Sequence, residues 1–443
     1  MAESTSSTGP VFLPSLPPVD PGFEAAIWRK VALRLIPFLF VLYLLNILDR
    51  VNVGFAKLTM LRGLELSEKS YGFFAGLFYI GYILFEVPSN LIMSRTGARV
   101  WIARIMVSWG LVSAAMMFVT GWWSFAALRF LLGVAEAGFF PGIILYLTYW
   151  FPASARGRAV AFFVIASPMA GMIGNPISGH VMQYMDGTAG LAGWQWLFLV
   201  EGIPSVLMGF VVWSWLTDRP EQAGWLDDAQ RAWLVDRMSR EDKSRPQRHF
   251  LQALGQPGVW LLCAIYFTVA VGTNGVGFFL PSVIKDLFPE QKEGAIGLLA
   301  AIPSLAGIAG MLLLGWHSDR RRERRWHVAI GAFLGAIGLA LSVAAPTRGS
   351  ALAALALAYF GMFSMLPTFW ALATSNLTGT AAAGGIALIN SLANVGGFLS
   401  PFVVGWIKDE TGKFTSGFWF MASALIVGGG LALCARHDAS LEH

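Results

Sequence analysis

Four side chains in two places combine a fixed cation with a proton-exchanging acid. Arg129 and Glu136 stand seven residues apart, two turns of helix, and so share one helix face. Arginine keeps its charge and offers a planar fork that matches a carboxylate, whereas a glutamate can take up and release a proton. One member of such a pair can hold an anion while the other carries its proton. A structural ion pair tying this helix to a neighbour is the alternative. Asp49 and Arg50 form the second place, after a long apolar stretch and before Asn52 and Gly54. Adjacent helix residues point about 100° apart, so one can face a cavity while the other reaches a neighbouring helix. Tyr79, Tyr82 and Glu86 lie at i, i+3 and i+7, a single helical stripe. A tyrosine there can bond a carboxylate through its hydroxyl and pack a carbon skeleton with its ring. Tyr82 is expected to line a cavity, Tyr79 to serve helix packing, and Glu86 to act as a latch or a further proton site.

The elements holding these residues must be membrane helices. The chain is 56% hydrophobic and only 13% charged, with a mean hydropathy of +0.61, which excludes a soluble globular class. Apolar stretches of spanning length fall near 29–56, 70–93, 99–120, 123–148, 157–183, 193–216, 257–284, 294–316, 327–345, 351–373, 383–406 and 417–435. They are solid runs, not the ten-residue alternation of a barrel, so the expected class is an all-α membrane protein with twelve spans. A charge near a bilayer centre costs about 2.5 to 3.5 kcal/mol on insertion scales. Asp49, Arg50, Glu86, Arg129, Glu136, His180 and Glu201 all lie in the first half; His180 reads as interfacial and Glu201 as a cap or latch on span six. Lys and Arg concentrate on the side of the termini, which places both termini in the cytoplasm. That bias accounts for the pI of about 9.3 without a nucleic-acid partner. Cys263 and Cys434 read as small packing residues.

One polar interval, 217–256, carries seven acidic and seven basic residues and divides the chain. The expected organisation is a disordered tail over 1–27, a six-helix bundle over 28–216, a cytoplasmic linker over 217–256, a second bundle over 257–436, and a tail over 437–443 resembling the remnant of an expression tag. The turns Ser94-Arg95-Thr96-Gly97-Ala98-Arg99 and His317-Ser318-Asp319-Arg320-Arg321-Arg322 occupy equivalent places in the two halves, as a six-plus-six duplication requires. With Asp218-Arg219-Pro220-Glu221 after span six, this organisation resembles the major facilitator superfamily. Leu48-Asp49-Arg50-Val51-Asn52-Val53-Gly54 in span one, Val87-Pro88-Ser89-Asn90 in span two, Arg129 to Gly138 in span four and Tyr149-Trp150-Phe151-Pro152 resemble its anion:cation symporter family, with the tartrate, 4-hydroxyphenylacetate and phthalate permease branch closest. The resemblance runs from about Trp28 to Ala435. One departure is Ser94, where the superfamily commonly has an Asp.

The resemblance implies proton coupling at Asp49 and Glu136, substrate anchoring at Arg129, and anion contact or an inter-helix bridge at Arg50. Gating falls to Glu86, Arg95, Asp319 and Arg320, with Asp319 paired across the halves in the outward-open state. Uncharged candidates for substrate contact are Asn274 and Phe278 in span seven and Asn390 and Asn394, one turn apart, in span eleven; helix gluing is the other account of such amides. Thr368 and Trp370 are weaker candidates for the wall. No phosphate loop, zinc spacing or nucleophile motif occurs, so no cofactor, metal or enzymatic activity is expected. The expected function is proton-driven import of a small organic carboxylate by a monomeric carrier in the cell inner membrane. Rival readings are a sugar-acid symporter, a proton/drug antiporter and a transporter-like receptor. The middle of span five, Ala166-Ser167-Pro168-Met169, lacks an amide to read hydroxyls, which favours a short dicarboxylate or an aromatic acid over a six-carbon polyol acid.

Overall fold

The computed structural model describes residues 21–152, 155, 159, 162–243, 255–376 and 381–435. The expected tails over 1–20 and 437–443 lie outside the described residues. Span one is a helix in two pieces, Pro21–Val51 and Val53–Gly63; span two is Glu68–Thr96 and span three Ala98–Ala115. Span four is again in two pieces, Trp122–Glu136 and Phe139–Trp150, followed by span five, Ala166–Tyr184, and span six, Gly193–Trp215. The second half holds spans seven to twelve: Pro257–Leu287, Glu293–Arg321, Arg325–Ala344, Arg348–Asn376, Ala381–Thr411 and Thr415–Cys434. Eleven of these helical stretches among the described residues are long and apolar enough to cross a membrane. Span five is the exception, because its described part carries Ser167, Asn175, His180 and Gln183.

The break in span four has a local cause. Span four stops at Glu136 because Gly138 adopts a left-handed φ of 85°, and a Cβ on it would meet Ser89 Oγ at 2.4 Å, so glycine alone fits. Span one is interrupted for a single residue at Asn52, which keeps helical φ and ψ of −55° and −30° and still bonds Leu48 O and Ala56 N through its backbone. Both breaks lie beside ionisable side chains.

Within the first half, span three packs on six, two on four, and one on five and six; within the second, nine packs on ten and twelve, eight on ten, and seven on eleven and twelve. The halves meet where span two crosses eleven, five crosses eight, and Val53–Gly63 lies on seven. Small residues set these crossings: a Cβ on Gly405 would come 2.4 Å from Glu68 O, and one on Gly179 2.3 Å from Glu293 O. Backbone approach of this kind is how membrane helices gain dispersion energy without a hydrophobic drive. Both contacts lie at the end away from the termini.

That far end is also closed by polar contacts absent from the sequence reading. Asp409 accepts hydrogen bonds from Glu68 N at 2.9 Å and Lys69 N at 2.8 Å, so a carboxylate from span eleven caps the first turn of span two. Lys57, 4% exposed, pairs with Glu68 at 2.5 Å. Its ammonium lies 5.0 Å from the Tyr71 ring, 4.4 Å from Phe279 and 5.3 Å from Phe414, a cage drawn from both halves. Tyr71 donates to Phe278 O at 2.9 Å.

Two boundaries differ from expectation. Residues 21–27 are helical and do not belong to the tail. The linker carries its own helix, Asp228–Lys243, docked on the first half: Trp233 meets Trp28 edge-on at 5.5 Å and Trp225 stacks on Trp150 at 5.5 Å. The net polarity of 217–256 hides these tryptophans and the buried Leu226 and Leu234.

Candidate functional site

A cavity of about 210 Å³ lies between the halves. Arg50 is its one charged lining side chain among the described residues. Aromatic and amide side chains stand out in the remainder, Tyr43, Tyr79 and Tyr82 from the first half and Tyr266, Asn274, Phe278, Trp370, Asn390 and Asn394 from the second, among aliphatic and small residues such as Val164, Leu280 and Ser304. Such a lining can hold one anionic group, pack a carbon skeleton and read a few polar substituents.

Arg50 is held rather than free. Its Nε donates to Glu136 Oε1 at 3.0 Å, Nη2 makes a closer contact to the same oxygen, and Nη2 lies 3.5 Å from Asn46 Oδ1. The guanidinium carbon is 4.9 Å from the Phe78 ring and 5.6 Å from Tyr82. The Arg50 side chain is 17% exposed and that of Glu136 fully buried, so the arginine fronts the cavity and the glutamate stands behind it. The pair joins span one to span four at the place where span four breaks.

The sequence reading put the anchor at Arg129, and the geometry differs. Arg129 is fully buried and is not part of the cavity lining. Nε donates to Phe74 O at 3.3 Å and Nη2 to Ala75 O at 3.2 Å, which turns the guanidinium toward the backbone of span two. Sharing a face with Glu136 does not bring the two together, because Glu136 is taken by Arg50. Asp49 also faces away from the cavity. Its carboxylate accepts from Trp109 Nε1 at 2.9 Å, Ser113 Oγ at 2.7 Å and Ser205 Oγ at 2.5 Å, deep among spans one, three and six.

Two hydrogen bonds cross the cavity. Tyr79 Oη donates to Asn274 Oδ1 at 2.5 Å, and Asn390 Nδ2 donates to Glu86 Oε1 at 2.9 Å. Tyr79, expected as helix packing, is therefore a wall residue. Asn394 and Phe278 line the wall as well, while Thr368 is buried against Ser364 O and Met365 O. Span five does offer an amide: Asn175 lines the cavity and donates to Ala300 O at 3.2 Å, one helical stretch beyond the amide-free segment at Ser167.

Of the expected latch residues, Glu86 bonds across the halves through Asn390, whereas Arg95, Asp319 and Arg320 make no such bond in this conformation among the described residues. Asp319 pairs with Arg324 inside its own half, Arg320 stacks over Trp316 at 5.5 Å, and Arg95 is exposed. His180 contacts Pro176 O and stacks on Tyr184.

A family profile described as the Major Facilitator Superfamily matches residues 39–401. The chain belongs to this superfamily. A protein of Agrobacterium vitis provisionally named a tartrate transporter is 47% identical over 91% of this chain and 93% of its own length. A quinolone resistance transporter of Acinetobacter baumannii is 42% identical over 92% of this chain and 94% of its own. Among solved structures, a bacterial homologue of the human lysosomal transporter Spinster aligns with a TM-score of 0.70 at 14% identity, covering 96% of this chain and 97% of that one. That likeness carries the fold, and the cavity around Arg50 lies between its two halves.

Proposed function

We propose that the chain is a proton-coupled symporter that imports a small organic carboxylate by alternating access of its two halves. The observation that carries this reading is the Arg50–Glu136 pair. One cation faces the cavity, and its counter-charge is a buried acid. A substrate carboxylate and Glu136 compete for the same fork. A proton arriving on Glu136 removes its charge and releases Arg50 to the substrate, so anion and proton bind together. Neither binds well alone, because breaking a buried pair from one side leaves an uncompensated charge costing about 3–5 kcal/mol.

Energetics supports coupling over passive entry. A monoanion entering a cell at about −100 mV is opposed by roughly 2.3 kcal/mol, and cotransport with two protons reverses that sign. Asp49 is the second proton site in this reading, one residue from Arg50. The positive charge on the side of the termini supports a cytoplasmic placement of both, in the cell inner membrane, and the protein acts as a monomer. When the halves rock, Tyr79–Asn274 and Glu86–Asn390 must open and Asp319 is free to engage the other half.

The tartrate name of one relative fits a short dicarboxylate. The quinolone name of another fits an aromatic acid, since a quinolone carries a carboxylate on a fused ring, and it keeps drug efflux as a second reading. Counterflow of labelled tartrate in proteoliposomes, with aromatic and aldonic acids as competitors, tests the substrate class. Competition by carboxylates that fails in Arg50→Ala supports the reading, and competition by organic cations instead of acids overturns it.

A further inference from the structure

Behind the cavity wall, spans one, three, five and six enclose a second acid that the site above leaves unused. Glu201, on span six, is 7% exposed. Its Oε1 accepts from Ser178 Oγ of span five at 2.6 Å, and its Oε2 has no partner. One turn on, Ser205 donates to Asp49 Oδ2 at 2.5 Å, so the carboxyl groups of Glu201 and Asp49 share one polar pocket and act on each other. Asn52, in span one, faces the Glu201 carboxyl group closely enough to act on it, but its buried amide atoms make no hydrogen bond of ordinary geometry. Spans six and three pack closely beside the pocket: a Cβ on Gly202 would come 2.7 Å from Ala114 N of the span-three helix.

The groups facing this pocket are Asp49 and Asn52 from span one, Trp109 and Ser113 from span three, Ser178 from span five, and Glu201 and Ser205 from span six. Among the described residues no Lys, Arg or His pairs with either carboxylate; the nearest buried ion pairs are Arg50–Glu136 and Lys57–Glu68. Hydroxyl donors soften the cost of a buried carboxylate but do not cancel a net charge of two. The pocket therefore calls for positive charge, and its unpaired Glu201 and Asn52 atoms leave hydrogen-bonding capacity for it. We infer that Glu201 is a proton-carrying residue of the transport cycle, forming with Asp49 a two-carboxyl store behind Arg50. A proton leaves solvent, bonds to Glu201 Oε2 in one orientation of the halves, and departs to solvent from the other; no electrons are exchanged.

The test uses purified full-length protein and the variant Glu201→Gln, which keeps the shape and the acceptor for Ser178. In the pH-difference infrared spectrum, wild type should show a protonated-carboxyl band that Glu201→Gln lacks. Identical spectra overturn the inference. In proteoliposomes, Glu201→Gln should retain tartrate counterflow and lose about tenfold in accumulation per unit of pH gradient, the contribution of one proton. Wild-type accumulation with an unchanged pH profile overturns the inference, as does parallel loss of counterflow, accumulation and melting temperature, which marks a structural residue. Accumulation driven by a sodium gradient in wild type and lost in the variant overturns it too, by assigning the pocket to a metal cation. The transport arm rests on the proposed symport and the infrared arm does not. An intact Glu201 band in a protein that fails to accumulate tartrate therefore supports the proton store and counts against symport alone.

Discussion

Replacing Glu136 by Gln should uncouple substrate binding from pH. In the native protein the Arg50 fork is occupied by Glu136 through Nε at 3.0 Å and a closer Nη2 contact, inside a wall where Glu136 sees no solvent. Substrate that takes Arg50 must leave Glu136 neutral, so the bound state holds one more proton than the free state. Affinity then rises as pH falls and is lost as pH rises, by about 1.36 kcal/mol or tenfold per pH unit for one proton. Over about two units around neutrality this amounts to roughly a hundredfold. Gln is neutral at every pH and competes for the fork only weakly. Glu136→Gln should therefore bind carboxylate tightly with a flat profile, exchange substrate, and fail to accumulate it against a gradient. Calorimetric titration with tartrate, or quenching of Trp370 in the wall, reads the affinity at each pH. A variant with the same slope as wild type, or a wild type with no slope, would refute the competition between Glu136 and substrate.

Other perturbations separate the roles of the remaining residues. Arg50→Ala should abolish carboxylate binding and lower thermal stability by about 3–5 kcal/mol because Glu136 is left buried and unpaired, with Arg50→Lys intermediate; unchanged affinity in both would remove Arg50 from the site. Arg129→Ala should lower the melting temperature through its lost bonds to span two and spare the affinity of the folded fraction, and a stable variant with selectively lost affinity would return Arg129 to the site. Asp409→Ala removes the cap on span two, worth about 1 kcal/mol, and should shift the population about fivefold toward opening at the far end; an unchanged spin-label distance between positions 63 and 413 would show the cap does not hold the halves. Tartrate or an aromatic acid should compete for uptake better than a six-carbon aldonate, because the one amide of span five at the wall, Asn175, is already engaged by Ala300 O; the reverse order would refute this.

All spans but the fifth were legible as solid apolar runs, and the division into halves because one polar interval interrupts them. Which arginine meets the cavity was not. Arg50 and Arg129 are both single charges in apolar helix, and their facing depends on the breaks at Asn52 and Gly138, which local patterning does not reveal. The same holds for Asp49 and Glu201. Their pocket exists only because Ser113, Ser178 and Ser205 converge from three helices, and a serine in a membrane helix is unremarkable in isolation. Lys57 had a signal that went unread: it follows Val53-Gly54-Phe55-Ala56 and precedes Leu58, too deep in apolar sequence for a lysine that merely reaches the interface. Asp409 gave none, since capping a helix from another half is purely a matter of tertiary placement. The linker helix was hidden by averaging, its buried Trp233 and Leu234 being outnumbered by charged residues.

The central claim is that a carboxylate and protons cross together. Proteoliposomes of the wild-type protein loaded with a pH-sensitive dye, with membrane potential clamped, provide the most direct reading. External tartrate, or 4-hydroxyphenylacetate if the aromatic preference holds, should acidify the lumen as it enters, and Glu136→Gln vesicles should show exchange of label without that acidification. Entry of label with no change in lumenal pH, or lumenal alkalinisation on adding substrate, would contradict symport.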